Sequence, residues 1–215
     1  MANSKLSLIN NALILIGDVP LTSLTSGTRA QVVATSLYDN IVQSELSKFR
    51  WGFARTQTEM LRSVIPNTNP AVPFVPSFQW QAAYFVPENC LSLITVSPSV
   101  PYQIYAEEDS PDTTRSQMVY CNFDSAINDS GQYTPTNFYA DYIRNVAENE
   151  WPAYFAKMIE YALAMDFAPS IRDSASSMQI LANQYLNASR MARYTDSQQH
   201  PQVAIQDRPF INVRY

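Results

Sequence analysis

The residues that could do acid, base or nucleophilic chemistry are few and poorly spaced for it. A single histidine, His200, stands beside Pro201 with nothing nearby to orient an imidazole, so neither a Ser-His-Asp nor a Cys-His site can be built around it. The glycines Gly17, Gly27, Gly52 and Gly131 are scattered, which excludes a phosphate loop and a dinucleotide fingerprint, since both need several glycines in one turn. Cys90 and Cys121 lie in separate apolar, strand-like runs and read as reduced core thiols; with one histidine they do not supply a tetrahedral zinc set. The one dense group of carboxylates is Glu107, Glu108, Asp109 and Asp112. Paired carboxylates can hydrolyse glycans or hold a divalent ion, but this group lacks the spacing of a calcium loop and reads as a solvated turn between strands. No catalytic residue, metal or cofactor is expected.

Composition points toward assembly. Of 215 residues, 46% are apolar and only 15% charged, fewer charges than a free surface normally uses to stay dispersed, so part of this surface is expected to be covered by a partner. Aromatics reach 12%, with 13 tyrosines, a residue that suits interfaces because it buries a large area with few rotors and keeps a polar tip. The formal charge is −5, with no dense Lys/Arg run, which disfavours gripping nucleic acid; an acidic wall can still let a duplex slide past. Residues 1–17 open like a secretion leader, but Asn10 and Asn11 interrupt the apolar stretch and Asp18-Val19-Pro20 is a poor cleavage site, so a helix is the better reading. No apolar run approaches the ~20 residues needed to span a bilayer, and no membrane insertion is expected.

The elements follow from periodicity. Leu6, Ile9, Leu13 and Ile16 recur at helical spacing and Gly17 can cap the end; Thr28 and Gln31 have capping-box spacing, and Val33, Leu37, Ile41 and then Val42, Leu46 and Phe49 carry a second helix to about Phe49. From Trp51 the pattern turns to strand formers, with strands expected over 51–60, 78–85, 91–96, 102–106, 117–123 and 136–143 and a proline-rich loop over 63–76. Helical spacing returns at Trp151-Pro152, where Phe155, Ile159 and Leu163 share a face and Pro169 marks a stop; Met178, Leu181, Tyr185, Ala188 and Ala192 line a last helix. The expected fold class is α+β: a helix pair over 1–50, an inserted small antiparallel β-sheet over 51–145, a second pair over 146–194 completing the bundle, and an extended tail over 195–215. Within that tail Phe210, Asn212 and Arg214 alternate with Ile211, Val213 and Tyr215, the pattern of a strand that could add to another chain's sheet edge. Phe210, Ile211, Val213, Arg214 and Tyr215 are therefore the candidate partner-binding residues.

The stretch Leu8-Ile-Asn-Asn-Ala-Leu-Ile-Leu-Ile-Gly17-Asp-Val-Pro20-Leu-Thr-Ser-Leu24 resembles the opening of the tail tubular protein A family, the gatekeeper or head-to-tail adaptors of short-tailed bacteriophages. Trp51-Gly-Phe53, Val86-Pro-Glu-Asn-Cys-Leu-Ser-Leu93 and Trp151-Pro152 through Phe167 are similar to further motifs of that family and fall in its order; Cys90 stands where the family often has an aromatic. The resemblance implies a structural, non-enzymatic connector of the virion neck, assembled in the host cytoplasm. Its implied partners are the portal protein, the tail nozzle protein and further copies of itself in a dodecameric ring, with DNA passing through the lumen without sequence-specific contact. The isolated chain is expected to stay monomeric or weakly associated until it meets the portal. A tail component that binds or hydrolyses host-surface glycans is the alternative.

Overall fold

The computed structural model describes residues 3–25, 27–65, 72–73, 79–106, 117–123, 137–172 and 175–199. Among them, four α-helices and two three-stranded antiparallel sheets make a mixed helix-and-sheet fold of the α+β kind. The chain divides into two compact units, Met1–Tyr38 with Glu148–Tyr215, and Asp39–Ala147.

In the first unit, α1 (Lys5–Leu15) starts at Ser4, whose hydroxyl accepts from the Ser7 N–H while the Ser7 hydroxyl accepts from the Ser4 N–H. It ends in a Schellman turn: Gly17 takes φ +75, its N–H donates to the Ile14 carbonyl at 3.0 Å, and the Asp18 N–H reaches the Leu13 carbonyl at 2.9 Å. The two asparagines that interrupt the apolar stretch fasten this helix. Asn10 makes two hydrogen bonds to the backbone of Leu21, at 2.9 and 2.7 Å, folding the link back onto α1, and Asn11 donates to Glu160 at 2.6 Å. Glu160 belongs to α3 (Ala153–Arg172), against which both α1 and α4 (Ala175–Gln198) pack. Leu8, Ile9 and Leu13, Phe155, Met158, Ile159, Leu163 and Phe167, and Leu181 are buried.

The second unit holds β1 (Arg55–Glu59), β4 (Ala82–Phe85), β5 (Cys90–Ser97), β6 (Tyr102–Ala106), β7 (Gln117–Cys121) and β8 (Tyr139–Arg144), besides a short β2–β3 ribbon (Val64–Ile65 with Val72–Pro73). One sheet has the order β1-β8-β5 and the other β4-β7-β6. Tyr84, Val86, Val96, Val119, Phe138, Ala140 and Tyr142 from both sheets form one core, with the Tyr84 and Phe138 rings 4.5 Å apart. Trp51 is buried behind a 3-10 turn (Gly52–Ala54), its indole N–H donating to the Glu45 carbonyl at 3.0 Å.

Four expectations are corrected. The single sheet is two, because β4 pairs with β7 instead of joining β8. Pro169 does not stop α3: it sits in the last turn, where it removes one carbonyl bond, and the buried neighbours Phe167 and Ala168 hold the helix on to Arg172. Helical structure runs past 195 to Gln198, held by buried Asp196. Finally, α2 (Arg29–Ser47) buries Val42 and Leu46 as expected, but ahead of them Ala34 and Tyr38 are buried in place of Val33 and Leu37, one residue round, leaving Leu37 and Ile41 half-buried. The rotation lets the Tyr38 hydroxyl donate to Glu148 at 3.2 Å and places its ring 4.5 Å from the Lys5 ammonium. Tyr38→Ala is expected to lower the unfolding free energy by about 3 kcal/mol, as a buried aromatic does, and Leu37→Ala by only about 1 kcal/mol. Urea melts of the two variants check this, and the reverse order would restore the expected face.

Candidate partner-binding site

Carboxylates that could do chemistry are occupied as fasteners. Glu45, Asp141, Glu160 and Asp196 are buried among the described residues, and each has a cationic or hydroxyl partner. Lys48 lies 2.5 Å from Glu45, and the Arg55 Nε sits 2.9 Å from both oxygens of Asp141. Lys157 lies 2.9 Å from Glu160 and, with Asn11, leaves that carboxylate tied from two helices. Hydrogen bonding to Asp141 raises the Arg55 pKa, and hydrogen bonding to Glu160 raises that of Lys157. The Tyr154 hydroxyl donates to Asp196 at 2.7 Å, and burial, reinforced by that carboxylate, pushes it well above the usual phenol range.

Among the described residues two surfaces stand out. The first is the outward face of α4. Ile180, Asn183, Gln184, Asn187, Met191, Tyr194 and Gln198 recur at i, i+3, i+4, i+7, i+11, i+14 and i+18, a single exposed stripe about 27 Å long with no charged residue in it. Ile180, Met191 and Tyr194 are 61%, 62% and 60% exposed. Leu181, Ser189, Ala192 and Asp196 bury the opposite face.

The second surface is a groove of about 500 Å³ lined from β1, from Tyr142 of β8 and from the 85–89 segment. Leu61, Phe85 and Pro87 give it an apolar wall, and Thr58, Glu59, Glu88 and Asn89 a polar one. Tyr142, its ring in the core, closes the groove with a hydroxyl that donates to Asn89 Oδ1 at 2.9 Å and lies 3.4 Å from Thr58 Oγ1. Among the described residues β1 is an edge strand, paired with β8 on one side, and its burial is slight throughout. Beyond it the chain turns away: Met60 donates to Phe138, then Ser63 and Phe85 exchange bonds with Ala83 and Leu61 at β4. Glu59 and Glu88 share exposed surroundings, whereas an acid and base in glycan hydrolysis take their separate roles from different ones.

Phe210, Ile211, Val213, Arg214 and Tyr215 lie outside the described residues, as do His200 and the acidic group Glu107, Glu108, Asp109 and Asp112. Among the described residues no three His, Cys, Asp or Glu side chains gather to hold a metal ion, and no helix is long and apolar enough to cross a membrane. Cys90 and Cys121 are free thiols. The uncharged stripe of α4 was readable in the sequence, since Arg190, Arg193 and Asp196 are the only charges in that helix; the groove was not, because it depends on which strand takes the edge. Compared with models of known protein families and with curated proteins, the chain matches none.

Removing the donor of the α3–α4 fastener should leave a buried carboxylate short of a partner, so Tyr154→Phe is expected to cost about 2 kcal/mol in a urea melt. An unchanged midpoint would show that the pair does not hold α4. Burial also pushes the Cys90 thiol up to about 11. Its alkylation rate in the folded protein should therefore keep rising toward pH 11, where an ordinary thiol has already levelled off. Any stability that comes from keeping this thiol neutral is full below the ordinary thiol range and is lost as pH rises toward 11. A plateau near pH 9 would contradict the burial of that thiol.

Proposed function

We propose that the chain is a non-enzymatic head-to-tail connector of a short-tailed bacteriophage, twelve copies forming a ring between the portal protein and the tail nozzle protein. In this reading the helices of 1–50 and 146–194 make one bundle, 51–145 is inserted into it, and the residues beyond α4 reach a neighbour or the portal. DNA passes through the lumen without sequence-specific contact, and assembly needs no cofactor.

The observation that supports this best is the uncharged outward stripe of α4. A surface helix of 24 residues with three charges is a poor solvent face, and one flat line of Ile180, Met191 and Tyr194 among amides suits a second copy of a low-charge protein. Each of those side chains, being already partly covered, adds about 1 kcal/mol on burial, too little to hold two dilute copies together. A portal that presents adjacent positions raises the effective concentration and makes the same contacts sufficient. The ordered motifs shared with the adaptor family add to the reading, and the net charge of −5 suits a passage that does not grip DNA.

The test is to add purified protein to portal rings and image the product by negative stain. Wild-type chain is expected to sediment as a monomer alone and to add a ring to the portal. The double variant Ile180→Asp with Met191→Asp should keep its melting temperature and add no ring. A wild type that never joins portals, or a double variant that joins them equally well, would sink the proposal.

A further inference from the structure

We propose that the outer edge of β6 receives residues 210–215 of a neighbouring copy, which add there as an antiparallel strand. The proposal rests on the connector reading only for the neighbour that supplies the segment. Three observations carry it.

First, among the described residues β6 is the sheet edge that lacks protection against a further strand. The outer side of β4 is covered by residues 61–63, with the Ser63 N–H donating to the Ala83 carbonyl and the Phe85 N–H to that of Leu61. β1 carries a charge at each end, Arg55 and Glu59, and β5 is broken by two register shifts against β8. Charges and bulges are the means by which sheets discourage added strands. β6 reads Tyr102-Gln-Ile-Tyr-Ala106, without a charge or a proline, and runs in unbroken register along β7. Among the described residues nothing pairs with its other side.

Second, the apolar rows of this sheet run out to β6 and end there uncovered. Tyr84, Val119 and Ile104 stand in one row across β4, β7 and β6; the first two are fully buried, whereas Ile104 is 47% exposed. On the opposite face Phe85, Met118 and Tyr105 make another row, in which Met118 is buried and Tyr105 is 40% exposed. One more strand beside β6 would cover both ends.

Third, the segment has the complementary pattern. Residues 210–215 lie outside the described residues and enter through their sequence alone. Laid antiparallel with Ile211 across from Ile104, they put Val213 across from Tyr102 on the core face, and on the other face Phe210 across from Tyr105 and Asn212 across from Gln103. Apolar residues meet apolar ones and amide meets amide. A slip of one residue in either direction would turn Asn212 toward the core, which fixes the register. Each copy then has one segment to give and one edge to receive, and such head-to-tail donation suits a closed ring.

A fluorescent peptide of residues 206–215 titrated with the full-length chain, followed by anisotropy, tests this. Saturable binding in the micromolar range is expected. Only alternate residues of an added strand turn their N–H groups toward β6. Of two peptides, one N-methylated at Phe210, Asn212 and Arg214 and the other at Ile211, Val213 and Tyr215, one should therefore lose binding and the other largely keep it. Ile104→Lys, at a half-exposed position, should keep its melting temperature and bind the unmodified peptide about fivefold more weakly. No saturable binding, including the case where each chain's own residues already fill the edge, overturns the proposal. Equal losses from the two methylated peptides overturn it as well, as does binding that a folded Ile104→Lys leaves unchanged. The portal assay is read separately: rings without peptide binding remove this site and leave the connector, whereas peptide binding without rings removes the connector and leaves the site.

Discussion

A carboxylate with almost no access to water holds the long last helix in place. Asp196 is 1% exposed, and the Tyr154 hydroxyl that donates to it stands in the first turn of α3. That bond adds to the contacts of the final turns of α4, where Thr195 to Gln198 offer little apolar surface to bury. With it, α4 presents one face to α3 and the opposite face to solvent over about 27 Å. Glu160 ties α1 to α3 in the same manner through Asn11. These helices are positioned by a few buried polar bonds added to apolar packing, and such bonds specify register in a way that leucine packing alone does not.

The β-rich unit depends on a comparable decision at one corner. β8 is buried along most of its length and has partners on both sides, so β1 is left at the edge. Arg55 tied to Asp141 secures the start of β1, and the bond from Met60 to Phe138 secures its end. The groove is lined from this corner: by Thr58 and Glu59 of β1, Tyr142 of β8, Leu61 where the chain turns toward β4, and the 87–89 turn that brings Glu88 and Asn89.

Much of the fold was legible because helices announce themselves locally. Gly17, the Thr28 and Gln31 pair and Trp151-Pro152 mark boundaries through bonds made within one turn, and the structure uses them: Gln31 N–H donates to the Thr28 hydroxyl at 3.3 Å. The burial of Leu13, Phe155, Ile159, Leu163 and Leu181 was likewise written in their spacing. The first half of the α2 face was not, since Leu37 and Tyr38 are both plausible core residues and Tyr38 meets partners distant in the chain, Glu148 and Lys5. Strand partners were not legible either, because β1 meets β8 across more than eighty residues and no local signal encodes that choice. Asn10 and Asn11 looked like interruptions and turned out to be clamps whose partners lie elsewhere in the chain. The tail residues singled out for binding, Phe210, Ile211, Val213, Arg214 and Tyr215, were chosen by alternation and lie outside the described residues.

The central claim is that copies of this chain surround a DNA passage at a phage neck, and cryo-electron microscopy of the neck in particles that carry the chain measures this directly. The expected result is a closed ring of this chain directly beneath the portal, with the Ile180, Met191 and Tyr194 face of α4 covered by the adjacent subunit and a channel wide enough for duplex DNA. A chain found instead as a peripheral appendage, as isolated copies with that face in solvent, or missing from the particle would contradict it.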